Sequence, residues 1–132
     1  MRKLNVLFIF LAIPLLCSCA SSNATQNSAT YQKISVEKAH KMMSETKDYI
    51  LLDVRTLAEY NEKHIKGAFL IPVDLIRSQA DKDLPDKNQP IFVYCRTGVR
   101  AASASQELAN MGYTKVYNIG GIVEWPYGTV SK

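Results

Sequence analysis

Within six residues, Cys95-Arg96-Thr97-Gly98-Val99-Arg100, the chain places a thiol, two guanidiniums and a glycine. The apolar run Ile91-Phe92-Val93-Tyr94 leads into the cysteine, and the small residues Ala101-Ala102-Ser103-Ala104-Ser105 follow the second arginine. That order reads as a strand, a short loop and the start of a helix. Successive backbone N–H groups in such a loop, here those of residues 96 to 100, converge on one point and carry partial positive charge. A thiolate held there is stabilised, and so is an anion bound against it. Gly98 lets the loop turn tightly without a Cβ clash. The chemistry available is nucleophilic attack by sulfur on an anionic substrate, with Arg96 and Arg100 as counter-charges. A cysteine at a strand end can also serve packing alone. Two arginines and a glycine in the next five residues favour reactivity.

Such a loop needs a sheet behind it, because ligands of open α/β sheets bind just outside the C-terminal ends of the strands. A short strand is expected at Tyr31 to Ile34, then a helix capped by Ser35 over Val36 to Ser44, with Glu37 in its first turn. Tyr49 to Val54 reads as a buried strand, and Thr56-Leu57-Ala58-Glu59 as a capping box opening a short helix. Ala68 to Ile71 is a short strand closed by Pro72; Val73 to Ala80 is helical; Asp81 to Asn88 is a charged loop. Pro90 to Tyr94 is the central strand, and Val99 to Met111 a helix stopped by Gly112. Lys115 to Ile119 is the last strand, with Gly120-Gly121 a tight turn before Ile122-Val123-Glu124-Trp125. Strands separated by helical stretches imply βα units. The fold class is α/β, a small, mostly parallel sheet flanked by helices on both faces.

Asp53, Arg55 and Glu59 are expected to be structural support: Arg55 bridging to Glu59, and Asp53 capping the turn after its strand. Trp125 and Tyr127 are expected to form a C-terminal lid over the core. His40 reads as exposed on its helix and lies, like His64, far from Cys95 in sequence. No metal-ligand spacing is present, and no cofactor is called for.

The first residues are of another kind. Arg2 and Lys3 precede a 13-residue apolar run, Leu4 to Leu16, interrupted by Asn5 and Pro14. That is too short to span a bilayer comfortably and reads as an export signal. It ends in Leu16-Cys17-Ser18-Cys19, which resembles a bacterial lipoprotein signal: leucine three before a cysteine and a small residue just before it. The resemblance implies a signal peptide at 1–18 and lipid on Cys19, anchoring the chain to a membrane facing the periplasm. Ala20 after Cys19 resembles lipoproteins sorted to the outer membrane. Residues 20–30 are small and polar, so 19–30 is a lipid-attached tether reaching on the order of 35 Å when extended.

The chain carries 16 basic and 12 acidic residues. Loss of Arg2 and Lys3 with the signal leaves a mature charge of +2. There is no dense basic stripe with interleaved aromatics, so nucleic acid is not an expected partner. Balanced charge and small size favour a monomer. Of three cysteines, Cys17 leaves with the signal and Cys19 carries lipid. Cys95 is then the one thiol left for chemistry, without an internal disulfide partner.

Three motifs resemble the rhodanese-like family of sulfurtransferases, over about residues 31–128, with 129–132 as a tail. The first is Leu52-Asp53-Val54-Arg55, then Glu59-Tyr60, then His64-Ile65-Lys66-Gly67-Ala68. The second is Tyr94-Cys95-Arg96-Thr97-Gly98-Val99-Arg100-Ala101, resembling the active-site loop. The third is Gly120-Gly121-Ile122-Val123-Glu124-Trp125. Lys63 stands where the first signature usually has glycine, and Leu70 where asparagine or histidine is common. The resemblance implies a ping-pong reaction: Cys95 takes the outer sulfur of a donor such as thiosulfate as a persulfide, then passes it to a thiol or cyanide. Arg96, Thr97, Gly98, Val99 and Arg100 would bind the donor. Cysteine-dependent phosphatases place five residues between cysteine and arginine; here four separate Cys95 from Arg100, a loop sized for sulfur. The alternative is a persulfide carrier or protein-binding module of the same family in the cell envelope.

Overall fold

The computed structural model describes residues 28–132. The expected signal and most of the tether, Cys19 included, lie outside the described residues. The elements run β1 (Gln32–Lys33), α1 (Val36–Glu45), β2 (Ile50–Asp53), α2 (Leu57–Glu62), β3 (Phe69–Leu70), a 3-10 turn at Val73–Leu75, α3 (Ile76–Asp83), β4 (Ile91–Cys95), α4 (Val99–Asn110), β5 (Val116–Gly121) and a second 3-10 turn at Ile122–Glu124. The five strands form one sheet in the order β1-β5-β4-β2-β3, and every pairing is parallel.

β4 sits in the middle of the sheet and all five of its residues are buried. A strand covered on both faces reads as a continuous apolar run rather than an alternating one. Ile91, Val93 and Cys95 face one core with Ile76, Ala80, Ala104 and Leu108 of α3 and α4. Phe92 and Tyr94 face the other, with Ala39 and Met43 of α1 and with Ile65, Ala68 and Ile119. Both expected caps are present: the Ser35 side chain accepts from the Lys38 amide at 3.2 Å, and Thr56 and Glu59 exchange the two bonds of a capping box.

Most boundaries lie within a residue of the sequence reading, the expected Val73–Ala80 helix begins as the 3-10 turn, and two ends differ by more. α3 continues to Asp83, so the following loop begins at Leu84. Its buried stripe, Ile76 and Ala80, is one residue wide per turn, too thin to show as an amphipathic period among charged neighbours. Gly120 and Gly121 are not a tight turn but the last residues of β5. The expected lid takes shape as Trp125 packing on the second core and Tyr127 stacking on the exposed His40 ring at 3.7 Å. The buried His64 stacks on Tyr60 at 3.8 Å, with Nδ1 2.8 Å from the Tyr60 carbonyl oxygen. Residues 129–132, set apart as a tail, return to the domain: Val130 and His64 exchange backbone hydrogen bonds of 2.8 Å each, and the Lys132 amide donates to Asn61. Lys63 has φ −164° and ψ 146°, extended backbone that any residue adopts, so glycine is not required there.

Candidate active site

Cys95 ends β4 with 1% of its surface exposed. Of the amides expected around its sulfur, that of Gly98 donates to Sγ at 3.0 Å. Gly98 has φ +106° and is the residue from which α4 starts. Left-handed backbone at that point favours glycine. The packing is tight as well, since a Cβ would lie 3.2 Å from the Gly120 Cα. α4 is 12 residues long, and its N-terminal end, with the partial positive charge of its unpaired amides, faces the loop that holds the sulfur.

The floor under the loop is the end of β5. Val93 pairs with Asn118 and Cys95 with Gly121, so β5 carries one extra residue across this step. That is a bulge, and Gly120 within it has φ +91°. The extra residue brings the two loops into contact. A Cβ on Gly121 would lie 2.0 Å from the Arg96 carbonyl oxygen, and the Val123 amide donates to that same oxygen at 3.3 Å. Asn118, buried in β5, donates from Nδ2 to the Gly98 carbonyl at 3.4 Å and accepts from the Gly120 amide at 2.9 Å. Sequence reasoning missed Asn118. Its signal was an amide side chain inside the apolar run of Val116-Tyr117-Asn118-Ile119. Because the Arg96 backbone must move to admit any side chain, Gly121→Ala is expected to cost about 1–3 kcal/mol of stability and to displace the sulfur loop. Denaturant unfolding alongside sulfur-transfer rates at equal folded protein checks both effects.

The charged residues pair differently from the expectation. Arg55 does not bridge to Glu59. Its Nε and Nη2 grip Asp53 at 3.0 and 2.6 Å, and Nη2 also donates to the Lys63 carbonyl at 2.7 Å. Asp53 does cap its turn, accepting from the Arg55 amide at 2.9 Å, and it takes the Tyr94 hydroxyl at 2.6 Å. Burial opposes the charge on Arg55, but the bonds to Asp53 outweigh it and hold its pKa above the usual value. Burial, with Asp53 adding to it, pushes the Tyr94 phenol up, so Tyr94 stays a proton donor. The Tyr94 oxygen also accepts from the Ile65 amide at 3.1 Å.

Glu59 instead pairs with Arg100. Nη1 and Nη2 of Arg100 reach the two carboxylate oxygens at 2.8 Å each. Glu59 is held well below the usual carboxylate range, chiefly by Arg100, and Arg100 is raised chiefly by Glu59. Arg96 is exposed and makes no ion pair among the described residues. With Arg55, Glu59, Glu62 and Lys63 it lines a polar cleft of about 330 Å³. Thr97 is exposed, and Val99 is 74% exposed on the first turn of α4. The structure thus brings Cys95, Gly98, Arg100 and Glu59 into one connected site, with Asp53 and Arg55 buried behind it.

A family model described as rhodanese-like domain matches residues 35–126. Thiosulfate sulfurtransferase PspE of Escherichia coli (strain K12) is 38% identical over 71 residues, 54% of this chain and 68% of that protein. Thiosulfate sulfurtransferase GlpE of Coxiella burnetii (strain RSA 331 / Henzerling II) is 32% identical over 96 residues, 72% of this chain and 87% of that protein. Among solved structures, a rhodanese from E. coli superposes with a TM-score of 0.60 at 33% identity, covering 64% of this chain and 99% of that one. A rhodanese-like domain protein from Staphylococcus aureus gives 0.65 at 30% identity, covering 76% and 98%.

Proposed function

The chain belongs to the rhodanese-like domain family and is a sulfurtransferase, and from that premise we propose that it moves the outer sulfur of thiosulfate to a thiol or cyanide through a persulfide on Cys95. The observation that carries this is the seat of the sulfur: Sγ at the end of β4, 3.0 Å from the Gly98 amide, facing the start of α4. The Cys95 thiolate attacks the outer sulfur of thiosulfate. A new S–S bond forms, the sulfur–sulfur bond of thiosulfate breaks, and sulfite leaves with that electron pair. Cyanide or a thiolate then attacks the terminal sulfur of the persulfide, and Cys95 leaves as thiolate. Every species in the sequence is an anion, and the Gly98 amide together with the positive end of α4 favours each. No general base takes part once the thiolate is formed. The ring of His64 is stacked on Tyr60 and that of His40 on Tyr127, away from any such role. The relatives named thiosulfate sulfurtransferases support thiosulfate as donor.

The purified protein is expected to turn thiosulfate and cyanide into thiocyanate and to leave a chromogenic phosphate ester intact. Turnover with another sulfane donor but not thiosulfate would overturn the choice of donor. Hydrolysis of the ester would overturn the class of reaction.

The N-terminal residues add a place. The chain is proposed to sit in the bacterial envelope, lipidated on Cys19 and sorted to the outer membrane, with the domain in the periplasm. The tether enters beside Gln106, whose Nε2 donates to the Ala29 carbonyl at 2.8 Å, two turns along α4 from the sulfur loop. Cys19→Ser is expected to shift the protein from the membrane fraction to the soluble fraction and to abolish incorporation of labelled palmitate; retention of both would remove the anchor from the proposal.

A further inference from the structure

The loop after Cys95 carries two guanidiniums, and the structure treats them differently. Arg100 is committed. Its two terminal nitrogens face the two oxygens of Glu59, the arrangement that fixes both position and orientation of a guanidinium. Glu59 is itself held in place. Its Oε2 accepts from the Thr56 amide at 2.9 Å and from the Thr56 hydroxyl at 3.0 Å, the capping box that opens α2. One carboxylate therefore ties the start of α2 to the start of α4, across 41 residues of sequence. Arg100 still feels the Cys95 sulfur, which adds to the rise in its pKa. A cation and an anion 2.8 Å apart act on a third charge as a dipole rather than as a full charge. Arg96 has no such partner among the described residues, and it lines the polar cleft that Glu59 and Glu62 also line.

Resting on the sulfurtransferase reading above, we propose that Glu59 is a positioning residue that fixes Arg100 against the sulfur loop and cancels its charge, leaving Arg96 as the guanidinium that selects the donor by its charge. Two consequences separate this from a purely structural capping role. Unpairing Arg100 adds a full positive charge near the sulfur, which favours a dianionic donor over a monoanionic one. Removing Arg100 alone strands a carboxylate at the site, so that loss is reversed when Glu59 is neutralised with it.

The test uses two sulfane donors of different charge, thiosulfate and an arylthiosulfonate, and reads the second-order rate of persulfide formation on the whole protein by rapid-mixing mass measurement. Glu59→Gln is expected to raise the preference for thiosulfate over the arylthiosulfonate about threefold or more. Arg96→Gln is expected to lower it by about tenfold, since its charge is unmatched. Arg100→Gln should slow thiosulfate about tenfold, and the double variant Glu59→Gln/Arg100→Gln should return to within about threefold of wild type. Thr56→Ala removes a hydroxyl from the cap and leaves the ion pair, so it should lower thermal stability without moving the donor preference. If Glu59→Gln slows both donors equally, in step with lost stability, and the double variant is no faster than Arg100→Gln, the proposal is overturned while the transfer reading stands. A wild type that forms no persulfide with either donor overturns both.

Discussion

Cys95→Ser is expected to abolish sulfur transfer, lowering the thiocyanate rate by roughly 10³-fold or more, as loss of a covalent nucleophile does. The change is nearly isosteric. The Gly98 amide can donate to a serine oxygen as it does to Sγ, and the side chain stays at the buried end of β4. Folding should therefore be little affected, and the loss is chemical. A serine hydroxyl is not ionised at neutral pH, no side-chain base is hydrogen-bonded to Sγ among the described residues, and an oxygen cannot carry and release sulfane sulfur as a persulfide does. Intact-mass measurement separates the steps. Wild type mixed with thiosulfate alone should gain one sulfur atom, about 32 Da, and lose it on adding cyanide. The serine variant should show neither change. Cys95 is the free cysteine of the described residues, so the added mass has one place to go within the domain. Thiocyanate formed at the wild-type rate by the serine variant would mean that donor and acceptor react directly, and the covalent route would have to be abandoned.

The parts of this site that lie along one stretch of chain were legible in the sequence, and the parts made by packing were not. Cys95 at the end of an apolar run, Gly98 at the turn and small residues opening α4 are local relations, and each appears where expected. So are the caps at Ser35 and Thr56. The partner of Glu59 is different. Arg55 lies four residues away in sequence and Arg100 lies 41 away, so proximity along the chain pointed to the wrong arginine. The physical reason is burial. Arg55 precedes the Thr56 cap and turns inward beside Asp53, with 3% of its surface exposed, whereas Glu59 turns back over the cap toward solvent. Gly121 shows the same limit. In sequence it is half of a Gly-Gly pair and reads as a turn. In the fold it is the point where the Arg96 carbonyl crosses β5, a contact between two segments that only the bulge brings together. That contact also accounts for two sequence motifs belonging to one site: the closing glycines are the surface on which the sulfur loop rests.

Asp53→Ala is expected to cost about 3–5 kcal/mol, because it leaves the Arg55 guanidinium buried without its counter-charge. A small domain has only about 5–15 kcal/mol of net stability, so much of the protein should be unfolded or close to it. Asp53 has no exposed surface and serves the Arg55 side chain, the Arg55 amide and the Tyr94 hydroxyl at once. Through these bonds it joins β2 to β4 and to the Lys63–Ile65 segment, one residue short of Cys95. Asp53→Asn keeps an acceptor for Tyr94 yet still strands the charge, so most of the loss should remain. Removing both partners tests where the energy lies. A buried ion pair is of small net benefit against well-packed apolar replacements, so Asp53→Ala combined with Arg55→Met should recover more than half of the loss. Urea unfolding at pH 7 measures all three variants on one scale. A loss below about 1 kcal/mol for Asp53→Ala would mean that Arg55 reaches water when released, and that the pair is a surface-type bridge despite its burial.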